Sequence, residues 1–320
     1  MKLVTGGAGF IGSHLVDELL RRGSEEVCII DNFSTGRRDN LQHLADSPNV
    51  RLLDIDVRDS NQVPKLVEEA NCVYHLAGAV GVERVIEDPI RAFETNVHGT
   101  ENILKASSSD TPVFIASTSE VYGKSHDLPF SEGDDRLMGD TTVPRWGYAT
   151  AKAADEFLSL SYADRDDIPV VIARLFNVVG PRQTGDYGMV LPTFVRQARN
   201  GEPITVYGDG AQTRCFAHVS DVTTAICDLV NAEGSAGEVY NVGAETPVTI
   251  EELAERVVEI VDSSSPIVHV STEEAFNDDF EEPKHRRPSI EKLRATLDTV
   301  PATSLDQIIS DVAESQRGDA

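Results

Sequence analysis

Residues 1–12 read MKLVTGGAGFIG, and the chain continues SHLVDELLRRG to residue 23. A short apolar strand passes into glycines and then into a helical pattern. Gly6 permits the tight turn at the strand's end, Gly9 lets backbone approach a pyrophosphate, and Gly12 lets the helix pack on the strand. The helix N-terminus then offers unsatisfied N–H groups to phosphate oxygens. A glycine pattern alone is weak evidence, but this one stands between a predicted strand and a predicted helix. The next apolar strand, VCIID at 27–31, ends in Asp31.

Further strands read as VRLLDID at 50–56, VYHLAG at 73–78, VFIAS at 113–117 and PVVIARLFNV at 169–178. Each is followed by a segment with helical periodicity, at the spacing of βα units. Runs this apolar need cover on both faces, so the pattern predicts an α/β fold, a Rossmann-type parallel sheet with helices on both sides. After residue 178 the pattern loosens into helices at 189–200, after Asp221, at 249–262 and near 304–315, with a strand at ITVYG. The expected organisation is a predominantly cofactor-binding and catalytic domain, 1–178, followed by a smaller substrate-binding region, 179–320. Some later segments of that region can return to the Rossmann domain.

Asp31 can accept hydrogen bonds from adenosine ribose hydroxyls, and its charge disfavours a 2′-phosphate, so NAD is expected over NADP. Arg37 and Arg38, a few residues on, are the counter-indication, because they can pair with a phosphate. Asp56 ends the third strand, where a carboxylate can receive the adenine amino group beside Val57. Alternatively, Asp56 caps the next segment.

Asp and Glu number 54 against 28 Lys and Arg, a formal charge of −26. Such a surface repels phosphate backbones, so no nucleic-acid partner is expected, and an anionic ligand must be held by helix N-termini and placed arginines. The same surface suits a cytoplasm of high ionic strength, where screening weakens self-repulsion. No apolar window is long enough for a membrane span. The opening MKLVTGGAG leaves no room for a signal peptide before predicted structure, which makes a cytoplasmic location the expectation. Cys28, Cys72, Cys215 and Cys227 lack CxxC spacing and are expected to be buried thiols, with neither a disulfide frame nor a metal site.

Tyr148 and Lys152 are four apart in GYATAKAADEFLSL, on one face of a predicted helix. A free phenol titrates near about 10 and is a poor base at neutral pH. An ammonium and an oxidised nicotinamide nearby favour the phenolate, which can then take a proton from a sugar hydroxyl. STSEVYG at 117–123 begins where the fifth strand ends, at the edge where ligands bind in this architecture. Thr118 can bond both the reacting hydroxyl and the tyrosine oxygen. Glu120 is either a second acid or base, or a capping or solvent-facing carboxylate.

GGAGFIG, HLAG, STSEVYG, YATAK and RLFNVVGPRQ occur in an order and approximate spacing that resemble an extended short-chain dehydrogenase/reductase of the NAD-dependent nucleotide-sugar epimerase/dehydratase family. The resemblance covers residues 1–312 and is nearest the UDP-glucuronate decarboxylase branch. It implies that Thr118, Tyr148 and Lys152 form the catalytic triad. Gly6, Gly9, Phe10, Ile11, Gly12, Asp31, Asn32, Asp56, Val57, Leu76, Ala77 and Gly78 would hold the cofactor, with Asn96, Tyr148 and Lys152 at its nicotinamide end. Asn177 would help to place the substrate. A homodimer is implied, paired through helices at roughly 93–107 and 149–164.

GEPITVYGDGAQTR at 201–214 resembles the family's nucleotide-sugar platform, which favours a UDP-linked substrate. Arg214 is then the candidate for the diphosphate and Arg182 the second, unless each is a surface ion pair. Tyr207 packs beside the base or is an ordinary strand residue. Dehydratases of the family carry an Asp-Glu pair after the catalytic threonine, whereas this chain has Ser119-Glu120, the arrangement of the UDP-glucuronate decarboxylases. VPRWGYATAK and HRRPSI also look like segments of the related bacterial decarboxylase. By that likeness Arg286, with Arg287 beside it, would meet the glucuronate carboxylate, and C4 oxidation, loss of carbon dioxide and hydride return would give UDP-xylose. A UDP-sugar 4-epimerase is the competing expectation, because the triad suffices for it. A catalytically silent NAD-binding protein is the alternative of another class, against which stands the presence of all three triad residues.

Overall fold

The computed structural model describes residues 1–79, 88–185, 189–271 and 285–317. Six strands fill its first half: β1 (Lys2–Thr5), β2 (Val27–Asp31), β3 (Val50–Asp54), β4 (Cys72–His75), β5 (Val113–Thr118) and β6 (Val170–Leu175). Then come β7 (Val178–Val179), β8 (Ile204–Tyr207), β9 (Thr213–Arg214), β10 (Ala217–His218), β11 (Glu238–Val242), β12 (Val248–Thr249) and β13 (Ile267–Val270). The main sheet has the order β11-β6-β5-β4-β1-β2-β3 and is parallel throughout. Strand order reverses between β1 and β4, the switch point where doubly wound sheets bind ligands.

Nine helices are described: α1 (Phe10–Arg21), α2 (Val63–Glu68), α3 (Pro89–Ala106), α4 (Arg145–Asp166), α5 (Val190–Asn200), α6 (Val219–Asn231), α7 (Ile250–Val261), α8 (Glu291–Thr296) and α9 (Leu305–Ser315). Successive strand residues point to opposite faces, so each apolar strand feeds two cores. Val4, Ile29, Phe114 and Val171 pack with Leu15 and Leu19 of α1, Val222 and Ile226 of α6 and Leu293 of α8. Their neighbours Leu3, Ile30, Ile115 and Ile172 pack with Leu66 of α2, Ile103 of α3 and Leu158 of α4. A third core joins α5, α7, α9 and β8 through Phe194, Leu253, Ile309 and Ile204.

The structure departs from the sequence reading in three places. β3 ends at Asp54 because Asp56 turns back to accept bonds from Arg58. The segment after β2 is a 3₁₀ helix, Arg38–Leu44, with no α-helix between β2 and β3. The expected strand at 169–178 is broken: Phe176 N donates to Val242 O, Asn177 takes φ +27°, and Val178–Val179 leaves to pair with β10. Asparagine tolerates positive φ better than most residues, which is why the break falls there.

All four cysteines are buried free thiols. Among the described residues no helix is long and apolar enough to cross a membrane.

Candidate active site

β5 delivers Thr118 to the carboxyl edge of the sheet, where its Oγ1 accepts from Glu120 N at 3.2 Å and starts a 3₁₀ turn, Ser119–Tyr122. α4 brings Tyr148 to the same place, hydrogen-bonded to Thr118. Burial raises the Tyr148 phenol well above its ordinary value, and the Glu120 and Asp155 carboxylates push it further up while the Thr118 bond opposes them. Without a cation acting on its oxygen this phenol stays protonated. Lys152, one turn along α4, is nearly fully buried, and its Nζ lies 2.7 Å from Asp155 Oδ2.

Glu120 is neither a helix cap nor solvent-facing. Arg286 Nη1 lies 2.5 Å from Glu120 Oε1, and Arg145 Nη2 lies 3.4 Å from Oε2. Burial alone would raise this carboxyl; the Arg286 and Arg145 guanidiniums outweigh it and hold the group below the usual carboxylate range. Three charged side chains from β5's end, α4 and the C-terminal segment thus converge beside Tyr148.

The turn after β1 fits a dinucleotide. A Cβ on Gly12 would stand 2.1 Å from Gly6 O, and one on Gly6 would meet Ala77 N at 2.7 Å, so both positions require glycine. Gly9 caps α1 without a side-chain bond, which leaves the first-turn N–H groups, those of Phe10 and Ile11 among them, for a ligand's oxygens. Asp31 accepts from Ala8 N at 3.0 Å and Phe33 N at 2.8 Å. Burial raises its pKa against these two bonds. Asp56 accepts from Arg58 and from Asn32 Nδ2, and the bond from Arg58 is the main cause of its strongly lowered pKa. Val57 is buried against Gly99 of α3.

The loop after β4, Leu76 to Gly78, is fixed from two sides. Asn96 Oδ1 accepts from Ala79 N at 3.1 Å, while Asn96 Nδ2 is buried without a partner among the described residues, a donor left for a bound group. Ala77 N donates to Thr5 Oγ1 at 3.1 Å, and the His75 ring bridges that hydroxyl, 2.7 Å from Nδ1, to Thr100 Oγ1, 3.2 Å from Nε2. Burial, with Lys152 nearby, pushes the His75 pKa down to about 3.

The remaining expected residues are placed as follows. Asn177 sits in the break between β6 and β7, where its O accepts from Ala217 N. Arg214 is buried on β9 and donates to Thr213 O at 2.8 Å. Tyr207, on β8, is exposed. Arg182 pairs with Asp17 of α1 at 2.7 Å, a contact on the cofactor-side helix. Sequence reasoning missed Asp155 and Arg145. The i,i+3 spacing to Lys152 was a usable signal for the first; the approach of Arg145 to Glu120 across 25 residues left none.

A doubly wound sheet, a glycine turn at its switch point and a Thr–Tyr–Lys cluster at the end of β5 define an enzyme of the extended short-chain dehydrogenase/reductase class. The chain belongs to the family described as GDP-mannose 4,6 dehydratase, whose model matches residues 3–312. Among curated relatives it is 44% identical over 307 residues to the UDP-N-acetyl-alpha-D-glucosaminuronate decarboxylase of Bacillus cytotoxicus, covering 95% of this chain and 94% of that one. It is 38% identical to UDP-glucuronic acid decarboxylase 1 of Arabidopsis thaliana, covering 95% of this chain and 66% of the relative. Among solved structures, the UDP-glucuronic acid 4-epimerase of Bacillus cereus, in complex with UDP-glucuronic acid and NAD, superposes with a TM-score of 0.88 at 28% identity over the whole of both chains.

Proposed function

We propose that the chain is an NAD-dependent decarboxylase of a UDP-linked uronic acid, with conversion of UDP-glucuronate to UDP-xylose as the leading reaction. The observation that carries this reading is the pairing of Arg286 with Glu120 beside Tyr148: a buried cation stands where a sugar acid's carboxylate would come if C4 lies at the phenol. The glycine turn, Asp31 and Asn96 would hold NAD, which when bound takes hydride from C4 and later returns it. The Lys152 ammonium and the positive charge that oxidised NAD would bring are what favour the Tyr148 phenolate, which takes the C4 hydroxyl proton while Thr118 orients both oxygens. The C4 ketone makes the C6 acid a β-keto acid. As its C5–C6 bond breaks, the electron pair moves to the C4 oxygen, carbon dioxide leaves, and the enolate takes a proton at C5. Glu120 suits that proton delivery. A substrate carboxylate sharing Arg286 removes part of what holds its pKa down, so the group can take up and pass on a proton.

A 2-acetamido uronic acid is the second reading, favoured by the Bacillus cytotoxicus relative and its near-complete coverage. Purified enzyme incubated separately with UDP-glucuronate, UDP-N-acetylglucosaminuronate and UDP-glucose, with products read by NMR, decides among these. Carbon dioxide with UDP-xylose supports the leading reaction, and carbon dioxide only from the acetamido sugar supports the second. Epimerised sugar without carbon loss overturns both in favour of a 4-epimerase. Glu120→Gln should keep C4 oxidation and slow formation of UDP-xylose, which needs the C5 proton, by about 10²-fold or more; equal retention of both sinks the role given to Glu120. We further propose a homodimer joined through α3 and α4.

A further inference from the structure

Residues 285–289 cross the site as a short strap that carries Arg286 to Glu120. On one side His285 forms a bridge with Thr213, and their Nδ1 and Oγ1 atoms lie 2.9 Å apart. On the other, Phe130 N donates to Arg287 O and Ser289 N donates to Phe130 O, each at 2.8 Å. Asn241 of β11, fully buried, completes the attachment: its Nδ2 donates to Phe130 O at 2.9 Å and to Ser289 O at 3.2 Å.

The orientation of that amide follows from its neighbours. Arg174 Nη1 donates to Tyr122 OH at 3.0 Å, so the phenol's own proton goes to Asn241 Oδ1 at 2.7 Å. Only the amide nitrogen then remains for the two carbonyls. Arg174 is itself fixed by the buried Glu156 at 2.8 Å, and the Tyr122 ring stacks on Phe130 at 4.6 Å. A network rooted in the 3₁₀ turn after β5, in β6 and in β11 therefore ends on the carbonyls of Phe130 and Ser289, where the strap is attached.

We propose that Asn241 is a positioning residue for Arg286, holding the 285–289 strap so that the guanidinium is aimed at the substrate's C6 carboxylate. This role rests on Arg286 being the carboxylate's partner, as proposed above. Asn241→Asp keeps the size and the acceptor for Tyr122 but sets a carboxylate against two carbonyl oxygens. Tyr122→Phe keeps the ring stack and removes the bond that orients the amide, together with the one Tyr122 OH accepts from Arg174, which stays paired with Glu156.

The test is calorimetric titration of NAD-loaded protein, in a Tyr148→Phe background that prevents turnover, with UDP-glucuronate and with UDP-xylose, which lacks the carboxylate. Asn241→Asp should weaken UDP-glucuronate about tenfold while leaving UDP-xylose and NAD nearly unchanged, and Tyr122→Phe should act in the same direction less strongly. Arg286→Ala is the reference. If Arg286→Ala loses UDP-glucuronate selectively and neither other variant does, the role of Asn241 is overturned alone. If Arg286→Ala weakens both sugars equally or neither, the carboxylate reading falls and the role of Asn241 falls with it. Should Asn241→Asp not fold, an unchanged UDP-glucuronate to UDP-xylose ratio in Tyr122→Phe overturns the proposal by itself.

Discussion

His75 shows how one side chain can bind two parts of the site and set a pH limit on the whole. Its ring joins Thr5 of β1 to Thr100 of α3, and Thr5 in turn holds Ala77 of the loop that faces the glycine turn. The ring must be neutral in the fold, where its pKa is about 3, whereas it titrates at 6.5 when unfolded. Between those values only the unfolded chain binds the proton, so the stability contributed is complete above 6.5 and is lost as pH falls toward 3. From pH 6.5 to 5 the loss is about 2 kcal/mol. His75→Asn, which keeps an acceptor for Thr5 and cannot titrate, should show a smaller fall in melting temperature between pH 7 and pH 5 than the parent. An identical fall in the two proteins would show that this ring does not set the acid limit. Such a role was not legible in HLAG, because neither threonine is near it in sequence. Tyr148 and Lys152 were legible, since helical spacing alone puts them on one face. Glu120 and Arg286 are 166 residues apart, and only the folded chain shows that they meet.

At the scale of elements, the β1–turn–α1 unit is the part most fully readable from sequence, because strand, glycines and helix follow one another within a short stretch and Gly12 is demanded by Gly6 O inside it, although Gly6 is demanded by Ala77 of the loop after β4. Gly12→Ala puts a methyl group against Gly6 O, and with the backbone on both sides neither partner can yield cheaply. The substitution should cost about 1–3 kcal/mol of stability, seen as a lowered melting temperature, and should weaken NAD binding in a fluorescence titration. Unchanged values for both would show that the turn relaxes. The boundaries that differ from the sequence reading share a cause. LFNVV is apolar on both sides of Asn177, and periodicity cannot reveal that this one residue divides it between two sheets. The residues after Asp31 form a 3₁₀ helix in which Leu41 is the one buried side chain, too little apolar surface to have been told from a short α-helix.

The whole molecule carries two surface features of opposite kind. Its charge of −26 keeps copies apart, yet Ile90 and Phe93 of α3 and Phe157 of α4 are exposed at 72%, 43% and 62%. Those helices pack side by side, and their exposed apolar residues are what the proposed homodimer would cover. Sedimentation in molar KCl, where repulsion is screened, should show a dimer, and Phe157→Asp should shift it toward monomer. A parent that sediments as a monomer at every salt concentration would refute the homodimer.

Because β11 is made from residues 238–242 yet pairs with β6, the sheet closes late in synthesis. While a ribosome has delivered only the first half of the chain, Val170–Leu175 lies at an open border with its backbone groups unmatched and its side chains apolar. A fragment cut at residue 178 would keep the glycine turn and Tyr148 but carry that border permanently. It should recruit other strands and precipitate, so the cofactor-binding half cannot be harvested as an independent module.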